Sequence, residues 1–296
     1  MVERTEVIGR IPEWRAGTGF YQDTWHRLRR NPAALLGLLI VGAFAVAAVL
    51  APALTRYDPF EQDLEARLLP PSRAHWLGTD DLGRDLLTRI IYGGRVSLTV
   101  GIVAVGIALA AGTILGLLAG YYGRWADSVT MRVMDVMLAF PATLLAIFIV
   151  GIRGPGLNNA MLAIGVINIP IFARIVRGSV LRVRQEEFVD AARALGGNAG
   201  RIIGRHILPN TLAPIIVQAT LGIGAAILEA AGLSFLGLGA QAPTAEWGAM
   251  LTNTREFLRD APWAATFPGI AILLTVVGFN LLGDGLRDAL DPRLRL

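Results

Sequence analysis

Six stretches of this chain contain no Asp, Glu, Lys or Arg: 31–55, 96–123, 136–152, 154–173, 207–228 and 261–283, with 25, 28, 17, 20, 22 and 23 residues. A helix needs about 20 apolar residues, within a range of roughly 17–25, to cross a bilayer, and every run qualifies. The expected fold is therefore all-α, an integral membrane helical bundle with six transmembrane helices. Charged residues make up 17% of the 296, whereas a soluble domain carries about 25%. The third and fourth runs are short and separated by little more than Arg153-Gly154-Pro155-Gly156. They read either as a tight helical hairpin or as a partly re-entrant pair. The first run is too long for a signal peptide and follows a polar segment without a cleavage site, so it is expected to be retained.

The polar residues exclude several functions. All 27 basic residues are arginine, and a phosphate-binding P-loop requires a lysine, so the chain has no P-loop of its own for ATP hydrolysis. Cysteine is absent, which removes disulfides, thiolate metal sites and cysteine nucleophiles. The three histidines, His26, His75 and His206, fall in separate regions. They suggest neither an imidazole relay nor a metal site, and no Ser/His/Asp grouping lies on a common element. A pI near 10.1 reflects a net charge of only +4. The charges sit in blocks between apolar runs, so they point to membrane lipid and not to nucleic acid.

Arginine placement also sets an expected topology. Segments 1–30, 124–135, 174–206 and 284–296 hold eighteen arginines, and segments 56–95, 153 and 229–260 hold nine. Loops rich in arginine stay in the cytoplasm, so both termini are expected there. The chain then divides into a cytoplasmic segment 1–30, a first span 31–55, an extracytoplasmic loop 56–95, a five-helix core 96–283 and a cytoplasmic tail 284–296. Within 20–30, Tyr21, Trp25 and Leu28 share a helical face, with Arg27, Arg29 and Arg30 available to anionic lipid. That segment reads as an interfacial helix or as a basic topology flank. In 77–95, Leu82, Leu86, Leu87, Ile90 and Ile91 share one face, and Asp80–Arg84 and Asp85–Arg89 are i,i+4 pairs. An amphipathic helix lying on the membrane is expected there.

Ala104, Ala108, Gly112, Gly116 and Gly120 form a small-residue stripe in the second span, suited either to packing within the chain or to a subunit interface. Pro141, Pro170, Pro214 and Pro268 are expected inside the later spans, where proline permits kinks. Ion-coupled secondary transporters usually keep an ionisable residue near the bilayer centre. The apolar runs hold none, and Glu229 is expected at the outer end of the fifth span. Polarity along any pathway is left to Asn158, Asn159, Asn168, Gln218 and Asn280, and the residues give no identification of pathway-lining positions.

The segment 174–206 is the one substantial inner loop. Glu186, Glu187 and Asp190 open a short helix, Arg193 follows, and Gly196-Gly197 provides a stop. Ala191 and Ala192 would let another protein approach closely. Asp190-Ala191-Ala192-x3-Gly196 followed by Leu208-Pro209 resembles the EAA loop of binding-protein-dependent ABC importer permeases, with Asp in place of the usual leading Glu and His206 in place of an aliphatic residue. The segments HWLGTDDLGRDLLTRIIYGGRVSL (75–98), LSFLGLGAQAPTAEWGAML (233–251) and NLLGDGLRDALDPRLR (280–295) are similar to the peptide/nickel branch of that family, and in particular to the C-type permeases of dipeptide and oligopeptide importers.

The resemblance implies a type I ABC importer permease fold in a prokaryotic inner membrane. It also implies a second homologous permease subunit, two ATP-binding cassette ATPase subunits and an extracytoplasmic solute-binding protein. No cofactor and no catalytic residue are implied. Glu187, Asp190, Ala191, Ala192, Arg193, Gly196, Leu208 and Pro209 are the implied ATPase-coupling residues. The implied cargo is a di- or oligopeptide, with nickel or another small solute as the alternative.

Overall fold

The computed structural model describes residues 20–290, with side chains from Thr24 onward. Residues 1–19 of the amino-terminal segment, the Tyr21 side chain and residues 291–296 of the tail lie outside the described residues. The helices are α1 (Phe20–Leu28), α2 (Pro32–Val49), α3 (Ala51–Leu54), α4 (Leu86–Tyr122), α5 (Arg124–Ala139), α6 (Ala142–Arg153), α7 (Leu157–Val183), α8 (Glu187–Ala194), α9 (Ala199–Arg201), α10 (Leu208–Phe235), α11 (Trp247–Thr254) and α12 (Pro262–Leu290). No strand occurs among the described residues.

The start of α2 shows how local sequence sets these boundaries. Asn31 Oδ1 accepts the amides of Ala33 and Ala34 at 3.0 and 3.2 Å. Pro32 occupies a first-turn position where a missing N–H costs nothing. The preceding α1 seats Leu28 against Ala34 and Ala289, while Arg29 lies over the Trp25 ring at 4.8 Å.

Helices α2, α4, α7, α10 with the turn before it, and α12 are long and apolar enough to cross a membrane. The remaining apolar run, 136–152, is not one straight helix. Helices α5 and α6 meet at a 91° bend, where Phe140 and Pro141 are extended. The 12 residues of α6 reach only about 18 Å, short of the ~30 Å hydrocarbon layer. The short helix α6 turns back through Gly154 and Gly156 onto α7, so the third and fourth runs form a hairpin whose first arm is short. Pro141 therefore makes a corner between helices, whereas Pro170, Pro214 and Pro268 lie inside α7, α10 and α12.

The small stripe of α4 serves packing within the chain. A Cβ on Gly112 would lie 2.5 Å from Phe172 Cβ, one on Gly116 2.6 Å from the Ala173 carbonyl oxygen, and one on Gly120 2.7 Å from Val180 Cβ. Lipid supplies no hydrophobic force between helices, so backbone proximity carries the α4–α7 association. Gly116→Val should therefore destabilise the chain by roughly 1–3 kcal/mol, the cost of overpacking a tight interface; its thermal midpoint in detergent checks this. A second face of α4 takes Ile223 and Ile227 of α10 against Gly101, and α12 packs Phe279 near Gly224 of α10 and Gly278 against Ile40 and Val41 of α2.

The segment before α4 differs from the expected surface helix. Residues 79–85 form a turn closed by an antiparallel bridge between Thr79 and Asp85, and α4 begins only at Leu86 and continues without a break into the span. Asp85 is drawn into capping, accepting the Thr88 amide at 2.8 Å, and contacts His75 Nδ1 at 3.1 Å. Arg89 consequently turns to Asp80 at 3.3 Å and donates to the Pro59 carbonyl at 2.7 Å. Asp80 also holds Arg84 at 2.7 Å. Asp80, Arg84 and Arg89 are all buried. Polar residues that alternate like a solvated face thus form a sealed ionic cluster, because the 56–78 loop folds over them. Trp247 of α11 completes the seal: it is fully buried and donates Nε1–H to the Ile90 carbonyl at 2.9 Å.

Candidate coupling surface

Helix α8 owes its position to one side chain. Val189 is fully buried with Leu117 of α4, Val176, Val180 and Val183 of α7, and Ile202, Ile207 and Ile215 of the segment entering α10. The cluster joins the ends of three long helices beneath eight residues of α8. Arg184 strengthens the junction by donating to the Gly120 and Tyr121 carbonyls at 3.2 and 2.8 Å, which satisfies the end of α4.

The ends of α8 follow the chain's own chemistry. Glu187 and Asp190 occupy the first turn and Arg193 the last, matching the helix dipole. Arg193 pairs with Asp190 at 2.9 Å on the surface. At the other end Gly196 has φ +79, its amide reaches the Arg193 carbonyl at 2.9 Å, and the Gly197 amide reaches that of Ala192 at 2.9 Å. Those paired bonds are the Schellman arrangement, and the left-handed residue in it favours glycine. Asn198 then starts the next turn by accepting the Arg201 amide at 2.9 Å. A π-helical stretch Ile202–Ile207 leads into α10.

Residues singled out from the sequence separate into an outer and an inner set. Glu187, Asp190, Ala191, Arg193, Gly196 and Pro209 are exposed. Ala192 and Leu208 instead pack against the cluster around Val189, so the two alanines face different surroundings. Two residues were missed: Phe188 is 42% exposed and Leu195 is 89% exposed. With Ala191 they fall at i, i+3 and i+7, one outward apolar stripe. That spacing is visible in the sequence once the helix is granted. Large apolar groups held open on a helix whose back is fixed suit docking by another protein.

One polar residue ties two long helices together. Glu229 lies inside α10, which continues to Phe235. Its Oε2 accepts Asn168 Nδ2 of α7 at 2.9 Å, and the same nitrogen donates to the Ile164 carbonyl at 2.9 Å. Asn168 stands 11 positions after Leu157, the first residue of α7, or about 17 Å at 1.5 Å per residue. The apolar run had ended at 228 only because Glu229 itself interrupts it.

Residues 112–296 match the family described as binding-protein-dependent transport system inner membrane component. Residues 19–71 match the N-terminal transmembrane domain of oligopeptide transport permease C. Among curated proteins, the chain is 57% identical to the dipeptide transport system permease protein DppC of Alkalihalophilus pseudofirmus, over 93% of this chain and 90% of that one. It is 49% identical to the probable D,D-dipeptide transport system permease protein DdpC of Escherichia coli K12, over 90% and 89%. It is 48% identical to the glutathione transport system permease protein GsiD of Pectobacterium atrosepticum, over 93% and 92%. Among solved structures, a chain of the MetNI methionine ABC transporter in an inward-facing conformation superposes with TM-score 0.56 at 16% identity, covering 70% of this chain and 98% of that chain. At that identity the likeness speaks for the fold alone.

Proposed function

Because this chain belongs to the family of binding-protein-dependent transport system inner membrane components, we propose that it forms half of the pathway of an importer for short peptides, with α8 as the surface that receives an ATPase subunit. The chain is a multi-pass inner-membrane permease subunit of ABC importer type, and its family role is not catalytic. The observation that carries the coupling reading is the position of α8: Phe188, Ala191 and Leu195 face outward, while Val189 fixes the helix to the ends of α4, α7 and α10. A displacement of α8 then moves three long helices together, which is rigid-element gating. Glu187 borders the same face, Asp190 and Arg193 pair on another exposed side of the helix, Gly196 ends it, and Ala192, Leu208 and Pro209 support or flank it.

The cargo reading rests on relatives named for dipeptide and glutathione transport. Those cargoes share a small zwitterionic form with a free ammonium group. A second homologous permease would complete the pathway, and an extracytoplasmic binding protein would meet the outer loops, where Leu64 is 68% and Trp76 63% exposed. The test is to purify the tagged chain from its native membrane. Two ATPase subunits and a second permease should copurify, and the reconstituted assembly with its binding protein should take up dialanine. Recovery of the chain alone would defeat the reading.

The topology is part of the same proposal, with residues 56–85 and 236–261 outside and α8 in the cytoplasm. The chain has no native cysteine, so single substitutions report cleanly. A membrane-impermeant maleimide added to whole cells should label Ala74→Cys and leave Ala194→Cys untouched. Both positions are exposed, and the reverse pattern would invert the assignment.

A further inference from the structure

We propose that Glu229 and Asn168 form an acceptor site for the ammonium group of the cargo as it passes between α7 and α10. The inference rests on the peptide-importer reading. Its physical basis is the incomplete bonding of an acid placed inside a long apolar helix.

A carboxylate offers about four lone-pair positions, and here Asn168 Nδ2 fills one. No arginine or histidine among the described residues pairs with Glu229; their ion pairs involve Asp80, Asp81, Asp85, Asp127, Asp135 and Asp190. The orientation of Asn168 follows from its partners. One nitrogen meets both a carbonyl and a carboxylate oxygen, and those are acceptors only, so that atom must be the amide NH₂. Asn168 Oδ1 therefore remains an acceptor beside the acid. Together the two residues lack hydrogen-bond donors and a positive charge.

The site borders an open face. Ala225, Leu228 and Gly232, which flank Glu229 on α10, are exposed, and a Cβ on Gly232 would meet nothing within 4 Å. Gln218 lies on the same side three turns below. Ionisable groups within spanning helices do not face lipid but turn to a bundle interior or a water-filled cavity, so this face of α10 is assigned to the conduit. A divalent metal ion fits poorly, since it requires six or more oxygen ligands or several carboxylates; no group of three His, Asp or Glu is close enough among the described residues. A primary ammonium fits well: it carries one positive charge and three donors.

The experiment uses the assembled importer with its native partners in proteoliposomes and dialanine as probe. Glu229→Gln keeps the size of the side chain and its ability to accept from Asn168, so a purely structural tie would survive it. Loss of the charge should lower dialanine uptake about tenfold or more, as expected for a charged hydrogen bond, and Glu229→Asp should recover part of it. In the unmodified importer, dialanine should protect Glu229 from a lipid-soluble carbodiimide, whereas N-acetyl-dialanine should not. Normal uptake by Glu229→Gln, or equal protection by both peptides, would overturn the site. Loss of the second permease on purifying Glu229→Gln would also overturn it, by showing that the counter-charge belongs to that subunit. Failure of the unmodified importer to take up dialanine would instead overturn the peptide reading, a result distinguishable from all of these.

Discussion

Replacing Ala191 with glutamate should strip the ATPase subunits from this permease while leaving its spans folded. Ala191 lies between Phe188 and Leu195 on the outward stripe of α8, so a partner that covers those two must also cover it. Burying an unpaired charge there costs several kcal/mol, and each 1.4 kcal/mol is about tenfold in association. Contact should fall by orders of magnitude. Copurification and uptake, measured together on the variant assembly, check the result; full retention with normal uptake would reduce α8 to a solvated connector. Ala192→Glu should behave differently, because that residue packs toward Val189 and its replacement loosens the seat of the helix. Gly196→Val should also do harm, since its φ of +79 resists a β-branched side chain.

Replacing Asp80 with alanine should destabilise the cap before α4 by about 3–5 kcal/mol, the usual effect of removing one partner from a buried ion pair. Asp80 neutralises Arg84 and Arg89, and its Oδ1 also accepts the amides of Leu82 and Arg84 at 2.9 and 3.0 Å. Without it Arg89 loses its ion pair, and Arg84 keeps only a 3.7 Å contact with Asp81. Its neighbour should give the opposite sign. Burial, and next the charge of Asp80, push the Asp81 carboxyl above its ordinary value. An acid whose pKa is raised on folding favours the folded state below its unfolded pKa and loses that benefit as pH rises through the folded one. Asp81→Asn should therefore be stabilising at neutral pH, with the gain shrinking as pH falls into the carboxylate range. Thermal midpoints of both variants across pH decide the matter.

The apolar runs located the long helices because lipid makes a continuous uncharged stretch nearly obligatory for a span. They could not show that Pro141 makes a corner, since proline permits a kink, a break or a turn, and the choice depends on what α5 and α6 pack against. Helix α8 was legible in its ends, where Asp190, Arg193 and Gly196 follow local rules. Phe188 and Leu195 were also within reach, through their spacing. The outer cluster was not. Its pairing joins Arg89 to Pro59 and Trp247 to Ile90, contacts distant along the chain, and helical periodicity alone paired Arg89 with Asp85. Glu229 shows a related limit: its charge ended an apolar run at 228, while the helix itself continues to Phe235.

Helix α4 has 37 residues and so reaches about 55 Å, well beyond the ~30 Å hydrocarbon layer, with no proline along its length. One end is held in the ionic cluster and beneath Trp247, and the other under the Val189 cluster and the Arg184 guanidinium. The two clusters thereby sit on one continuous element. If α4 moves as a rigid rod, a displacement at either cluster is felt at the other, and in the permease proposed above one helix would then link the two faces of the membrane.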